Sequence, residues 1–428
     1  MSGLFAPLFA PPELRAAVSA RAWVEAMTDA EGALAGAAAA AGLVPAAAAA
    51  AIAAARPPEP DVLGEAALAS GNPVVPLVAA LREAVGDEHA EHVHRGATSQ
   101  DILDTAAMLV ARRARALIVA ELDGVARACA GMARAHAGTV MAGRTLLQQA
   151  LPVTFGLKAA GWLDATLDAR AGLVRVRLDA QLGGAAGTLA AFGDVGPAVA
   201  AGFAERLGLG APALPWHTAR GRVAELGAAL AVAAGAAGKA ALDLVLLAQT
   251  EVGEVRAGSG GSSALPHKQN PIGAIRARAC AERVPPLAAL LLGAMAQEHE
   301  RAAGAWHAEW EPLAQALALT GGAVAALRET LETLAVRPER MRANLEAAGG
   351  RLLAERVALA LPAAARGAVG EAAAADGSFR AALLARPEVA AHVDAAALDA
   401  LLDPAGYLGA TAELIDRALA RAGRELDR

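Results

Sequence analysis

The segment from Gly258 to Pro271 reads GSGGSSALPHKQNP and gathers the residue types that a lid over an anion needs. Gly258, Gly260 and Gly261 supply the backbone freedom of a moving loop. Ser262 and Ser263 offer hydroxyls, Lys268 a charge and Asn270 an amide, while Pro266 and Pro271 stiffen the far side. Lys268 is one of only three lysines in a chain whose 38 basic residues are otherwise arginine. A lysine retained in that background, inside a glycine- and serine-rich interruption, points to contact with an anionic group.

Two further polar stretches carry the same kind of chemistry. His94-Arg95-Gly96-Ala97-Thr98-Ser99-Gln100-Asp101 places Thr98 and Ser99 just ahead of a long apolar-periodic run. Either residue can cap the helix, and either can offer a hydroxyl or backbone N–H to a carboxylate. Gly143-Arg144-Thr145-Leu146-Leu147-Gln148 sets Arg144, Thr145 and Gln148 close together, with Gln148 expected at the start of a buried helix. Taken singly, each stretch reads equally well as a plain cap or a surface turn. His217, in LPWHT, is expected to hold loop structure rather than transfer a proton.

The remaining composition narrows the function classes. Net charge is −6 and pI about 5.9, with no basic block of the sort that nucleic-acid binding requires. Cys129 and Cys280 lie far apart and match no CxxC or zinc spacing, which suits a reduced cytoplasmic setting. Glu88, His89, His92 and His94 cluster without a zinc pattern, so no metal and no cofactor is expected. Neither GxGxxG, GKS/T nor GxSxG occurs. The apolar patch at 4–22 is broken by Pro7, Pro11 and Pro12 and lacks a basic lead, unlike a signal peptide. The alanine run 33–55 is interrupted by Gly36, Gly42 and Pro45, so no membrane span is expected there.

The elements that must position these stretches are helical. Alanine dominates a 56% hydrophobic composition and aromatics are only 3%, so an all-α chain with closely approaching helices is expected. The spacing predicts helices over 12–55, one long helix from Asp101 to about 137 and another from 223 to about 255. Helical sequence is expected to resume at Gln148 and run toward Gly183. One or two more long helices are expected over 272–335, with a break at Pro285-Pro286. Four or five helices of about 30 residues exceed ordinary globular lengths and suggest a bundle completed between subunits. Domain divisions are expected at 1–95, 96–340 and 341–428.

Together the three stretches resemble the fumarase/aspartase superfamily, which includes argininosuccinate and adenylosuccinate lyases. GSSALPHKQNP is similar to its signature GSSxMPxKxNP, with Leu265 in place of the methionine; GATSQD and GRTLLQQALPVTFG resemble the first and second shared regions. The resemblance spans essentially the whole chain. It implies a homotetramer around a twenty-helix bundle, with each active site drawn from three subunits. It also implies chemistry beside a carboxylate, through an aci-carboxylate intermediate.

One departure matters. The lyases carry Thr-His-x-Gln in the second region, and this chain has Leu146 where the histidine stands. A leucine moves no proton. The departure resembles the cycloisomerase branch, which closes 3-carboxy-cis,cis-muconate to a lactone in protocatechuate breakdown. So do GNPVVPLV at 71–78, LPWHTARGRVAEL at 214–226, QTEVGEV at 249–255 and QEHERAAGAWHAEW at 297–310. By that resemblance the substrate is a small tricarboxylate. Ser262, or alternatively Ser263, is the general acid, and Lys268 with Asn270 stabilises the aci-carboxylate. Thr98, Ser99 and Gln148 bind carboxylates, and Arg144, His94 and His217 are further binding candidates. A fumarate-releasing lyase and a non-catalytic relative are the alternatives.

Overall fold

The structure is a computed structural model describing residues 4–257, 260–261, 265 and 268–426. It is built from helices. The longest are Ser99–Ala135, Gly221–Leu247 and Trp310–Glu332, of 37, 27 and 23 residues, followed by Ala20–Ala40 and Phe155–Arg175 with 21 each. Only the first exceeds the expected 30. The Ile272–Ala281 and Val284–Gly293 helices are short, and Pro285 and Pro286 sit in the first turn of the second. That position suits proline, whose missing N–H would have no helical partner there, and the expected break falls just before the pair, between Ala281 and Val284. The Gly221–Leu247 helix is long and apolar enough to cross a membrane by length and composition. It also carries Glu225, Lys239 and Asp243, and it buries Leu226, Leu230 and Leu244.

The chain divides into two compact units. The first comprises Met1–Glu121, Ala169–Gly238 and Arg276–Ala325; the second comprises Leu122–Asp168, Lys239–Ile275 and Ala326–Arg428. Residues 1–95 thus fall wholly in the first and 341–428 wholly in the second. In the first unit, Ala20–Ala40 packs on Ala46–Ala54 and Gly196–Leu207, burying Met27, Leu34, Ile52 and Phe203. In the second, the shorter C-terminal helices close their own core around Val357, Val369, Phe379, Leu383 and Leu398.

The largest correction lies in the second polar stretch. Val140–Thr145 and Gln148–Thr154 form an antiparallel hairpin, with Thr145 opposite Gln148 and Arg144 opposite Gln149. The helix begins only at Phe155, so Gln148 is an exposed strand residue and not a helix start. Leu146 and Leu147 make the two-residue turn with φ of 51° and 65°. Both values are positive, as the turn type matching strand twist requires, and asparagine and glycine are the usual occupants. A leucine pair at this turn gave no sequence signal for a hairpin. Two smaller pairings join Val255–Ala257 to Leu334–Val336 and Gly260–Gly261 to Gln269–Asn270.

Candidate active site

In the first unit, the HRGATSQD stretch is held by a buried carboxylate. Thr98 N–H donates to Asp101 Oδ2 at 3.0 Å, while Asp101 N–H donates to the Thr98 carbonyl at 2.9 Å. The first bond is the carboxylate half of a capping box on the Ser99–Ala135 helix, and the second is a backbone turn at its start. Asp101, fully buried, also accepts from Gly183 and Gly184 N–H, each at 2.9 Å, and lies 2.7 Å from His217 Nε2. The carboxylate makes Nε2 the protonated nitrogen of that ring. His217 is 4% exposed, and a Cβ at Gly183 would stand 2.8 Å from its Cε1, so the ring lies directly on glycine backbone.

His94 follows the same pattern. Its Nδ1 is 2.6 Å from Oε1 of Glu31, whose side chain is wholly buried and whose Oε2 has no hydrogen-bond partner. His94 itself has φ of 61°, uncommon for a non-glycine residue, two positions before Gly96 at φ of 77°. A Cβ on Gly96 would come within 2.6 Å of the Phe192 ring, so this glycine is fixed by both conformation and packing.

Beneath this stretch lies a buried ionic network. Arg220 bonds Asp104 through Nη1 at 2.7 Å and Nη2 at 3.0 Å, and bonds Glu309 through Nε at 3.0 and 3.1 Å and through Nη2. Trp306 Nε1 and Gln100 Nε2 donate to Asp104, and Gln297 donates to Glu309. Burial pushes the Glu309 carboxyl above its ordinary range despite the pull of Arg220. Arg220 is itself raised: the two carboxylates outweigh its own desolvation, which is the largest single influence. Gln100 bonds Asp104 and the His217 carbonyl, tying the network to the capped helix start.

In the second unit, Arg144 faces inward from the hairpin. Its guanidinium grips Glu254 with two bonds of 2.9 and 2.7 Å, and Asn344 adds a third to the same carboxylate at 2.8 Å. The Glu254 side chain is wholly buried, so Arg144 is a neutralised structural cation. Glu254 also fixes backbone: its N–H bonds the Leu247 carbonyl and its carbonyl accepts from Arg337. Leu146 is 96% exposed at the hairpin tip.

The lid stretch has one described anchor. Gly260 pairs with Asn270 and Gly261 with Gln269, so the two arms of the segment meet. Lys268 is exposed and its N–H donates to the Leu265 carbonyl at 2.9 Å. Ser262 and Ser263 lie outside the described residues. The structure therefore brings Thr98, Ser99, His94 and His217 together on one scaffold, and Arg144 with Gln148 on one hairpin. Among the described residues no group of three His, Cys, Asp or Glu side chains could hold a metal.

Sequence reasoning passed over Asp101, Glu254, Gln100 and Arg301. All lie inside stretches already notable for their likeness to the family: GATSQD, QTEVGEV and QEHER. A charged or amide side chain inside those stretches was the available signal.

The fold and these stretches define a class. The crystal structure of 3-carboxy-cis,cis-muconate lactonizing enzyme from Pseudomonas putida is similar with a TM-score of 0.93 at 41% identity, over 99% of this chain and 100% of that one. A nitrosuccinate lyase of Streptomyces davaonensis is 48% identical over 98% of this chain and 94% of its own length. A 3-carboxy-cis,cis-muconate cycloisomerase of Bradyrhizobium diazoefficiens is 44% identical over 98% of both. A family profile described as lyase matches residues 9–285. The chain belongs to this lyase family, within the fumarase/aspartase superfamily.

Proposed function

We propose that this enzyme is a cycloisomerase that closes 3-carboxy-cis,cis-muconate to 4-carboxymuconolactone. It acts in the cytoplasm as a homotetramer whose sites combine three subunits, in the protocatechuate branch of the β-ketoadipate pathway. The reading is supported by the whole-chain likeness to cycloisomerases, and Leu146, an exposed apolar residue at the hairpin tip, sets the chain apart from the fumarate-releasing lyases of the resemblance, which place a histidine there. The attacking group in lactone formation is a carboxylate already ionised at neutral pH, so it needs no base. Its oxygen bonds to a ring-closing carbon while the π electrons move to the neighbouring carboxylate. The carbon between then takes one proton, so the trianion consumes one proton per turnover. Tethering supplies most of the entropic advantage. Ser262 delivers the proton, with Ser263 as its alternative. Lys268 and Asn270 stabilise the aci-carboxylate, and Thr98, Ser99 and Gln148 bind carboxylates.

A second reading has its own support. The nitrosuccinate lyase relative covers nearly the whole chain, and nitrite, like a carboxylate nucleophile, leaves without needing a proton. Leu146 suits both reactions. Purified protein should be given each substrate in parallel. Loss of diene absorbance with proton uptake supports ring closure. Nitrite release with appearance of fumarate, and no change in the diene, replaces the first reading with the second. No turnover of either, nor of argininosuccinate or adenylosuccinate, leaves a non-catalytic relative. In the active case, Ser262→Ala and Lys268→Ala should depress kcat far more than they shift unfolding, since Lys268 is exposed.

A further inference from the structure

Nearly every buried carboxylate among the described residues is met by strong donors. Asp104 and Glu309 share Arg220, Glu254 holds Arg144 and Asp179 holds Arg222. Asp101 accepts from the N–H groups of Thr98, Gly183 and Gly184 and faces His217. Glu31 is the exception. Its side chain is wholly buried, yet Oε1 meets only His94 Nδ1, at 2.6 Å, and Oε2 has no partner. It sits in the middle of the Ala20–Ala40 helix, away from the ends where a helix dipole acts on a charge. Glu25 and Asp29 on the same helix are far more exposed, and each still pairs with an arginine, Arg21 and Arg113. A buried carboxylate with one oxygen unbonded lowers stability, and a pair of this kind is matched or bettered by apolar side chains of similar size.

A second cost falls on the other partner. His94 has φ of 61°, the left-handed region that a side chain with a Cβ disfavours. Gly96, at φ of 77°, continues that path against Phe192, and a Cβ at Gly184 would stand 2.9 Å from the Gly96 carbonyl oxygen. Both costs therefore converge on one imidazole at the head of the stretch that leads to Thr98 and Ser99. Glu31 commits Nδ1. Nε2 has no partner among the described residues, and 16% of the side chain is exposed. Because Glu31 stands behind it, the ring can carry a second proton without being an isolated cation, and Nε2–H can then donate to an arriving carboxylate.

We propose that Glu31 is a positioning residue: it holds the His94 ring so that Nε2 meets a carboxylate of the ligand docked at Thr98 and Ser99, and it does so against the stability of the fold. The proposal rests on the functional reading for the docking place and for the identity of the ligand as a tricarboxylate.

Propane-1,2,3-tricarboxylate, which cannot react, is titrated by calorimetry into wild type, Glu31→Met, Glu31→Gln, His94→Asn and Glu31→Met/His94→Asn, and urea unfolding of each is recorded. Glu31→Met should bind about tenfold or more weakly while its unfolding midpoint stays level or rises, since it removes the unbonded carboxylate. Glu31→Gln, whose side-chain oxygen still accepts from Nδ1–H, should stay within about threefold of wild type. His94→Asn, a residue that tolerates positive φ, should lose as much affinity as Glu31→Met, and the double variant no more than either, because both act through one contact. With 3-carboxy-cis,cis-muconate, Glu31→Met should raise KM more than it lowers kcat. The proposal is overturned by wild-type Kd in Glu31→Met or in His94→Asn, and by absence of binding to wild type. It is equally overturned if Glu31→Met fails to fold or unfolds at lower urea than wild type, since the pair is then a structural tie. If wild type leaves the muconate unchanged yet binds the tricarboxylate in a way that depends on Glu31 and His94, the functional reading falls and the positioning role stands.

Discussion

Replacing Arg220 by methionine isolates the buried network under the first polar stretch. Arg220, Asp104 and Glu309 are each 3% exposed, and the arginine is the only cation between the two carboxylates among the described residues. Without it, Asp104 keeps two donors, Trp306 Nε1 and Gln100 Nε2, while Glu309 keeps one, Gln297. Removing one partner of a buried pair costs about 3–5 kcal/mol, and two stranded carboxylates place Arg220→Met toward the upper end. Glu309 has an escape, because its carboxyl is already raised above the ordinary 4.5 by burial. A carboxyl raised in the folded state holds its proton where the unfolded chain has released it. Its contribution is therefore full below 4.5 and is lost as pH rises through the folded value. The loss in Arg220→Met should accordingly be smaller at about pH 5.5 than at about pH 8. Urea unfolding followed by tryptophan fluorescence reads this directly: Trp216 lies 4.8 Å from the Arg220 guanidinium carbon, and Trp306 bonds Asp104. The triple variant Arg220→Met/Asp104→Asn/Glu309→Gln should recover half or more of the loss, since no buried charge is left unpaired. A loss below about 1 kcal/mol, or a triple variant no better than the single one, would refute the reasoning.

Arg144→Met should lower stability by about 2–3 kcal/mol by stranding Glu254 with Asn344 alone, and Arg144→Met/Glu254→Gln should restore much of it; an activity loss without a stability loss would show Arg144 to be a ligand contact instead. Gly96→Ala combines a positive φ with overlap on Phe192 and should cost about 2–4 kcal/mol in urea unfolding, with Phe192→Ala relieving only the overlap. Burial pushes the Cys129 thiol up to about 12 and the Cys280 thiol up to about 11, so neither should react with a disulfide reagent at neutral pH until denaturant is added; release of thiolate from the native protein would contradict this.

The helical architecture was legible because alanine content and apolar spacing act locally, and the Ser99–Ala135 helix starts within two residues of where periodicity placed it. The hairpin at 140–154 was not legible. Its turn uses Leu146 and Leu147 at positive φ, against the local preference that normally announces such a turn. Strand pairing of Thr145 with Gln148 is a contact that no helical period reveals. The break expected at Pro285 and Pro286 was legible, because a proline is excluded from a helix interior but accepted in a first turn; one helix ends at Ala281 and the next starts at Val284.

By itself, the sequence determined the class of fold, the three polar stretches and the absence of a histidine at Leu146, because residue type and order along the chain suffice for each. Tertiary structure decided which charges are free. Arg144 and Arg301 are the same residue type in equally notable motifs, yet the buried Glu254 carboxylate neutralises the first, while Gln100, Gly184 and Ala185 only orient the second. The free energy of a charge depends on what surrounds it in space, and those neighbours lie about a hundred residues or more away along the chain.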